Sequence, residues 1–418
     1  MKFKRSLSQI IFFSCLISCW SWQPVAGQNW PRFRGINGQG MGPDNPVPIK
    51  WQEQDFTWQV RIPGIGHASP VIWQNTIYVT SADDATKTGY LSAVSIKDGQ
   101  MLWQKTFALL PFKMNPDNSY AAATPAVDQD FVFIIWYATE KTIVIAVDHK
   151  GKPVWQTDLD GIYSQHGPAC SPVITADAVI FTLQQEDESP FPSTWVALNR
   201  LTGKIKWKLT RTTGERNTVS TPCLIANGAN SPCLLFTSES HGFTAVDPSD
   251  GKVIWELNET FNHRTVASPV LWYNLVIGTC KQKLVAVELP GAANNNKPVI
   301  SYELKQSLTP YVPTPIVVDD LLVLYLDNGN IACCNVADGT LLWKEKPADG
   351  YYGSPVLAGG NLYAVTKDGN VVVIKPSGEY QLLMVNSLGE GSYATPAVSG
   401  NTLIFKTFSH LIAVRKGD

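Results

Sequence analysis

A short signature, Ser or Thr followed by Pro and then by aliphatic residues, occurs eight times along this chain of 418 residues. Successive copies lie 40 to 55 residues apart. Self-similarity at such a period is typical of structural repeats, each of which buries its apolar surface against its neighbours. This repeat therefore constrains the fold more than any other feature of the sequence. The eight copies begin at Ser69, Thr124, Ser171, Thr221, Ser268, Thr314, Ser354 and Thr395.

Each repeat contains four short apolar segments separated by turn residues. In the sixth repeat, "TPIVV", "LLVLYL", "IACCNV" and "TLLWKE" are separated by "DD", "DNGN" and "ADG". Asp, Asn and Gly favour turns because they tolerate positive φ or bond locally to the backbone. Apolar runs bounded by such turns predict strands, and four strands in 40 to 55 residues is the size of a β-propeller blade.

The fourth strand of a repeat usually carries a tryptophan four residues after the turn glycine, as in "GKVIWEL" (251–257). Tyr302 replaces it in the fifth repeat and Leu382 in the seventh. The eighth repeat ends where its fourth strand should begin, whereas "FTWQVRI" (56–62) is a fourth strand with no repeat before it. We therefore predict an all-β fold, an eight-bladed β-propeller of four-stranded antiparallel blades. The N-terminal strand would complete the last blade and remove its open edge.

The first residues have the pattern of an export signal. The positively charged start "MKFKR" precedes an apolar stretch over residues 10–20, which is too short for a membrane span. "PVAG" then offers a cleavage site before Gln28, so that residues 1–27 would form a signal peptide. This pattern predicts an exported protein of the periplasm.

A second interpretation of the same residues is a lipoprotein signal. "LISC" (16–19) resembles a bacterial lipobox, in which the signal would cover residues 1–18 and Cys19 would be lipidated. The protein would then be attached to the outer membrane through its lipid, and the sequence contains no later stretch suited to crossing a membrane.

Residues 28–55 form a lead segment that precedes the propeller of residues 56–418. The lead segment begins with "NWPRFRG", and we expect Trp30 and Phe33 to pin it against the ring of blades as a cap. The two arginines of this motif could equally be solvated.

Composition excludes one class of partner. Charged residues make up 16% of the chain and the formal net charge is −2. Nucleic acid is excluded as a main partner because there is no basic excess to displace counterions from phosphates. Cys223 and Cys233 could face each other across a hairpin, but buried free thiols are the simpler interpretation of the cysteines after residue 27.

Two segments resemble a known repeat motif. "ALNRLTGKIKW" (197–207) resembles the A-x-D-x-x-T-G-x-x-x-W motif of quinoprotein (PQQ) repeats, with Asn199 in place of Asp. "AVDPSDGKVIW" (245–255) keeps the Asp but has Asp250 in place of Thr. The chain thus resembles the quinoprotein alcohol dehydrogenase-like β-propeller superfamily. This superfamily contains PQQ-dependent dehydrogenases and also BamB-like exported assembly lipoproteins, which bind no PQQ.

The resemblance implies a structural role for the aromatic residues of the fourth strands, which lock adjacent blades together in this superfamily. These docking residues are Trp58, Trp103, Trp155, Trp207, Trp255, Tyr302 and Trp343.

Propellers bind ligands at the mouth of the central channel, which is formed by the loops before each first strand and between the second and third strands. Each repeat has a polar or aromatic residue just before its Ser/Thr-Pro pair. Together these side chains would suit a polar or anionic small ligand, or a peptide. The channel-mouth candidates are His67, Tyr120, His166, Asn217, Arg264, Tyr311, Tyr352 and Tyr393.

Three longer connections should project at the same mouth. Residues 107–120 carry apolar side chains, which we expect to form an exposed lip for a partner. Residues 81–90 and 184–194 carry carboxylates that could bind calcium, although acidic loops are more often only solvated, and we predict no metal site. These carboxylates are Asp83, Asp84, Glu186, Asp187 and Glu188.

No catalytic residue can be assigned from the sequence. A PQQ dehydrogenase would need a calcium-held quinone, a carboxylate base and a tryptophan stacked on the cofactor, and no motif supplies them. We therefore predict no cofactor and a monomeric, non-catalytic platform in the cell envelope that binds envelope proteins or a small polar ligand. A carbohydrate- or ligand-sensing module and a PQQ-dependent dehydrogenase remain the alternatives.

Overall fold

The computed structural model describes residues 29–227 and 230–416. Eight four-stranded antiparallel sheets form a ring, which confirms the predicted all-β, eight-bladed propeller. Both interpretations of the export signal, including lipidation of Cys19, concern residues outside the described range. Among the described residues, no helix has the length and apolar character that crossing a membrane requires.

The first four blades consist of consecutive strands, and each strand pairs with the next along the chain. Blade one contains β2 (Val71–Trp73), β3 (Thr76–Asp83), β4 (Thr88–Ser95) and β5 (Met101–Ala108). Blade two contains β6 (Ala126–Val127), β7 (Phe131–Trp136), β8 (Lys141–Asp148) and β9 (Pro153–Asp160). Blade three contains β10 (Val173–Ile174), β11 (Ala178–Leu183), β12 (Ser193–Asn199) and β13 (Ile205–Arg211). Blade four contains β14 (Cys223–Asn227), β15 (Asn230–Ser238), β16 (Gly242–Val246) and β17 (Val253–Leu257).

The remaining blades follow the same plan, except that the last one takes its outer strand from the start of the chain. Blade five contains β18 (Val270–Trp272), β19 (Leu275–Thr279), β20 (Lys283–Glu288) and β21 (Val299–Lys305). Blade six contains β22 (Ile316–Val318), β23 (Leu321–Tyr325), β24 (Ile331–Asn335) and β25 (Leu341–Glu345). Blade seven contains β26 (Val356–Ala358), β27 (Asn361–Val365), β28 (Asn370–Ile374) and β29 (Leu382–Ser387). Blade eight contains β30 (Ala397–Ser399), β31 (Thr402–Lys406), β32 (His410–Arg415) and β1 (Trp58–Arg61).

The ring closes through antiparallel pairing between the two ends of the propeller. In this pairing Trp58 lies opposite Ala413, and Arg61 lies opposite His410. The predicted closure is therefore confirmed, and β32 has a partner where it would otherwise present unpaired backbone groups.

The Ser/Thr-Pro signature has a structural role that the sequence analysis did not foresee. At each signature, the backbone N–H of the Ser or Thr donates to the hydroxyl oxygen of the corresponding residue in the next blade. The eight bonds measure 2.9 to 3.2 Å and form a closed circle, since Thr395 of blade eight donates to Ser69 of blade one. We call these eight residues the hydroxyl belt. The proline that follows has no N–H, so only the belt residue donates from each signature to this circle.

The fourth-strand aromatic residues contact the next blade at its last turn. The indole N–H of Trp103, for example, donates to the carbonyl of His149 over 2.9 Å. The turn glycine Gly151 has φ of +79° and lies so close to this indole that a Cβ would clash with it. Trp58, Trp155, Trp207, Tyr302 and Trp343 make the equivalent hydrogen bonds, at 2.8 to 3.0 Å.

Trp255 makes no such hydrogen bond among the described residues. The last turn of blade five, which should receive it, is longer and contains a 3₁₀ turn at Ala292–Asn294. Trp255 instead packs against the apolar core that contains Phe243 and Val276.

The assignment of Leu382 to the docking position of blade seven is wrong. In blades one to six the docking residue lies opposite the residue before a bulge, and in blade seven Met384 lies there, opposite Val373. The segment between the paired residues Ile374 and Leu382 is one residue longer than its equivalent in blades one, three, four and six. The next blade offers no last turn to dock against, because its fourth strand comes from the N-terminus.

The lead segment fills the channel below the hydroxyl belt. Trp30 pairs with Ile72 of blade one through two backbone hydrogen bonds of 2.8 Å. The Asn37 side chain donates to the Leu224 carbonyl of blade four and accepts from its N–H, at 2.9 and 2.7 Å. The lead segment thus joins distant blades, in keeping with the capping role expected of it.

Arg32 and Arg34 are buried, so the alternative in which these arginines are solvated is wrong. The Arg32 guanidinium donates to the Pro222 carbonyl over 2.6 Å, and the Arg34 guanidinium donates to the Pro315 carbonyl over 2.9 Å. Each proline directly follows a belt residue, so both arginines lie against the underside of the belt.

The described cysteines are all free and buried. Cys223 lies opposite Leu235, whereas Cys233 lies opposite Ile225, so the two thiols are out of register for a cross-strand bond. Burial raises the pKa of the Cys223 thiol to about 12, which leaves it protonated and unreactive at neutral pH.

Candidate functional site

A cavity of about 620 Å³ occupies the mouth of the channel. All eight belt residues line it, and Phe33 of the lead segment lines it as well. Because the arginines on either side of Phe33 lie directly below the belt, Phe33 forms the floor of the cavity. The volume is in the range of small-molecule sites.

Seven of the eight channel-mouth candidates line this cavity: His67, His166, Asn217, Arg264, Tyr311, Tyr352 and Tyr393. Tyr120 is not in the lining. Its ring packs against Phe112 at 4.7 Å, and the Lys87 ammonium lies 4.7 Å from its ring centroid. Tyr120 belongs to the apolar core between blades one and two. It therefore does not reach the cavity, although it precedes a belt residue as the other candidates do.

The aromatic candidates form one wall of the cavity. The rings of Tyr352 and Tyr393 are stacked, with centroids 4.3 Å apart, and the His67 ring lies 4.8 Å from Tyr393. Burial, with a smaller contribution from the charge of Lys406, lowers the pKa of His67 to about 3. His67 is therefore neutral at physiological pH.

A buried ion pair forms the opposite part of the lining. Arg264, which is 5% exposed, donates to the Glu186 carboxylate over 2.7 Å and to the Asn217 carbonyl over 2.9 Å. Glu186, which is 2% exposed, also accepts from the Gln165 N–H over 2.7 Å. The sequence analysis considered Glu186 only as a calcium ligand, because nothing in the sequence links it to an arginine in another blade.

Several lining residues were missed because, among the turns between second and third strands, only the two long ones were considered. Lys281, Asp327 and Lys367 lie in the turns between the second and third strands, which meet at the same mouth. Asp327 accepts hydrogen bonds from the backbone N–H groups of Tyr311 and Val312, at 2.7 and 3.1 Å. The polar and charged residues of these turns were the signal in the sequence that could have identified them as lining residues.

Asn217 is the one fully buried side chain of the lining whose polar atoms lack partners. Neither its amide nitrogen nor its amide oxygen has a hydrogen-bond partner within the described structure. A buried amide without partners is costly, so this group is suited to binding a polar molecule in the cavity.

The 107–120 connection does not form an exposed apolar lip. Phe112 and Met114 pack against the core between blades one and two, and Leu109 is buried. The polar end of the connection reaches across the mouth instead, where the Tyr352 hydroxyl donates to the Asp117 carbonyl over 2.9 Å. The Asn118 side chain donates to the His166 carbonyl over 2.8 Å.

The carboxylates considered for calcium do not assemble into a site. Residues 81–90 form the end of a hairpin, in which Asp84 pairs with Lys87. Within residues 29–227 and 230–416, no three His, Cys, Asp or Glu side chains come close enough to hold a metal ion. No tryptophan lines the cavity, so its described residues do not fit a calcium-held quinone stacked on an indole.

Lys406 lies beside this site, buried and without a carboxylate partner among the described residues. It is 2% exposed, and its ammonium donates to the Gly66 carbonyl. Burial lowers its pKa to about 7, against a smaller opposing effect of Glu390. An unfolded lysine keeps its proton up to about pH 10. Between these values the unfolded chain binds more protons, so the free energy of unfolding rises with pH.

Replacement of Lys406 by methionine is expected to flatten this rise by up to about 1.4 kcal/mol per pH unit between about pH 7 and pH 9. Denaturant unfolding across this pH range, followed by circular dichroism, measures the slope. The control is Lys141→Met, which removes an exposed lysine. An unchanged slope in the Lys406→Met variant would show that this lysine keeps its proton in the folded protein.

The family model described as outer membrane protein assembly factor BamB matches residues 87–345, 239–381 and 309–418. Outer membrane protein assembly factor BamB of Yersinia pestis is 25% identical over 299 residues, which cover 68% of this chain and 71% of that protein.

Two solved structures share the fold. BamB of Moraxella catarrhalis superposes with a TM-score of 0.60 at 14% identity, over 86% of this chain and 97% of the other. Quinohemoprotein alcohol dehydrogenase of Comamonas testosteroni superposes with a TM-score of 0.66 at 11% identity, over 94% and 81%. The resemblance to the quinoprotein superfamily is confirmed, and since the BamB model matches most of the propeller, this chain belongs to the BamB family of β-propellers.

Proposed function

We propose that this protein is an exported, non-catalytic β-propeller that binds other proteins of the cell envelope during outer-membrane protein assembly. Its membership of the BamB family supports a role in outer-membrane protein assembly, because the relative from Yersinia pestis is described as an outer membrane protein assembly factor. The binding surface would be the mouth of the channel with the 107–120 connection.

The observation that carries this proposal is the way in which the mouth is held together. The Tyr352–Asp117 bond joins the 107–120 connection to blade seven, and the Arg264–Glu186 pair joins a loop of blade three to the loop that enters blade five. A surface fixed in this way before binding loses less conformational entropy when a partner docks. Three of the four carboxylates that line the cavity are already engaged, Glu186 by Arg264, Glu215 by Arg216 and Asp327 by backbone N–H groups.

Site-specific photo-crosslinking in intact cells tests the proposal. A photoreactive residue at Lys113, which is exposed in the 107–120 connection, is expected to form an adduct with a protein of the outer-membrane assembly machinery. The control position is Lys297, which is exposed in the last turn of blade five, at the other end of the channel. Adducts are identified by mass spectrometry.

The outcomes separate the possibilities. Adducts at position 113 that are absent at position 297 support the mouth as the binding surface. Adducts only at position 297 would move the surface to the opposite end. An absence of adducts at both positions, with the protein present at normal levels, would contradict the proposal of a protein-binding platform.

A further inference from the structure

The hydroxyl belt has hydrogen-bond donors that the fold does not use. Each belt hydroxyl accepts one backbone N–H, and across residues 29–227 and 230–416 none of the eight donates to a protein acceptor. A hydroxyl group carries one donor as well as two acceptor positions. Eight O–H groups therefore face the deep end of the cavity and are free to donate to a bound molecule.

Two positive charges lie directly beneath this belt. Arg32 and Arg34 are buried, and no carboxylate of the described chain lies within salt-bridge distance of either. Burial lowers their pKa values, that of Arg32 to about 10 and that of Arg34 to about 9, so both remain charged at neutral pH. Buried charge without a counterion is costly, and a bound anion would relieve that cost.

The guanidinium groups also keep N–H groups without acceptors. Nε of Arg32, together with Nε and one terminal nitrogen of Arg34, is buried and unpartnered. Their carbonyl partners Pro222 and Pro315 directly follow belt residues. The positive potential of both groups therefore acts on the belt across a short stretch of low dielectric, in which electrostatic interactions are strong.

The mouth of the cavity adds two more unpaired cations. The ammonium groups of Lys281 and Lys367 lie over the rings of Tyr311 and Tyr352, at 5.9 and 5.6 Å. Neither lysine forms a salt bridge with a described residue. Arg264 and Arg216, in contrast, are neutralised by Glu186 and Glu239. The lining itself is balanced, because it also contains four carboxylates, those of Asp117, Glu186, Glu215 and Asp327. The excess positive charge at this site therefore comes from Arg32 and Arg34 below the belt, and it favours an anion over a neutral molecule at the deep end of the cavity.

We propose that the channel cavity binds a small organic anion, whose carboxylate or phosphate group lies on the hydroxyl belt above Arg32 and Arg34. The phenyl ring of Phe33 forms the floor and offers an apolar surface to the carbon skeleton of the ligand. The unpartnered amide of Asn217 supplies one donor and one acceptor at the side. The anion would lie at the deep end of the cavity, below the protein-binding surface proposed above, although residues 115, 117 and 118 of the 107–120 connection line the outer part of the same cavity.

Isothermal titration calorimetry on the purified chain tests the site with three related probes. Gluconate and glucose 6-phosphate carry a carboxylate and a phosphate, and glucose is the neutral control of similar size. We expect both or one of the two anions to bind, more weakly as ionic strength rises, and glucose to bind at least about tenfold more weakly. Because no partner protein is present, this result is independent of the crosslinking outcome.

Two substitutions at one belt position supply the matched control. Thr221→Val keeps the shape of the side chain and removes its hydroxyl, whereas Thr221→Ser keeps the hydroxyl. We expect the valine variant to bind the anion about tenfold more weakly, and the serine variant to bind it nearly as well as the wild type. Circular dichroism shows whether both variants remain folded.

Three results would overturn the proposal. The first is the absence of heat with both anions in the wild type, and the second is equal affinity for glucose and the anions. The third is unchanged anion affinity in a folded Thr221→Val variant. Should that variant not fold, the ionic-strength dependence of the wild type still decides, since binding that does not respond to salt contradicts a charge-assisted site.

Discussion

Replacement of Arg264 by methionine is expected to lower the free energy of unfolding by about 3–5 kcal/mol. The substitution leaves the Glu186 carboxylate buried without its counterion, and it also removes the hydrogen bond to the Asn217 carbonyl. Urea denaturation followed by circular dichroism measures the loss. The sequence identified Arg264 only as a candidate for ligand binding at the channel mouth and did not indicate this ion pair.

Two comparisons isolate the cause. The double variant Arg264→Met, Glu186→Gln removes both charges and should recover a large part of the loss, since replacing a buried pair costs less than breaking it. The matched surface substitution is Lys141→Met, which breaks an exposed pair with Asp158 and should cost less than about 1 kcal/mol. Equal losses in the free energy of unfolding for Arg264→Met and Lys141→Met would contradict the claim that burial makes the Arg264–Glu186 pair costly to break.

Replacement of Trp58 by alanine is expected to cost about 3–5 kcal/mol. This indole is the docking residue of the strand that closes the ring, and it donates to the Ile96 carbonyl over 3.0 Å while Gly99 packs on its face. Its loss leaves a cavity between blades eight and one and weakens the contact that holds β1 in place. Urea denaturation gives the stability, and limited proteolysis within residues 50–62 reports release of the closing strand.

Phenylalanine substitutions separate packing from hydrogen bonding. Trp58→Phe keeps most of the ring and loses the indole N–H, so it should cost about 1 kcal/mol for the hydrogen bond in addition to lost packing. Trp255→Phe loses packing alone, because Trp255 lacks the equivalent hydrogen bond among the described residues, and it should cost less. A larger loss for Trp255→Phe would mean that the hydrogen bond contributes little to blade docking.

The local pattern of the chain was sufficient to predict the architecture. Four strands per repeat follow from apolar runs between turn residues, and the unpaired strand around Trp58 can be recognised because the eighth repeat lacks one. A repeat protein makes this possible because every unit repeats the same short-range information, so that one misjudged strand is corrected by seven others.

The candidate site was predicted in outline only. Seven of the eight candidates, which lie two to five residues before a belt residue, do line the cavity, since symmetry brings the loops that precede the belt to the same end of the ring. Tyr120 is the exception, because the longer 107–120 connection directs its side chain into the apolar core between blades one and two. Lys281 and Lys367 were missed because they come from a second set of turns, which the same symmetry brings to the mouth.

The sequence by itself determined the number of blades, the strands within them and the closure of the ring, because these depend on interactions between residues that are close in the chain or repeated along it. Only the tertiary structure decided that Glu186 binds Arg264, that the eight hydroxyls form a circle, and that Arg32 and Arg34 are buried below it. These contacts join residues up to several hundred positions apart, and the charges and hydroxyls concerned are equally compatible with a solvated surface. Their roles are set by burial, which depends on where the assembled blades leave space.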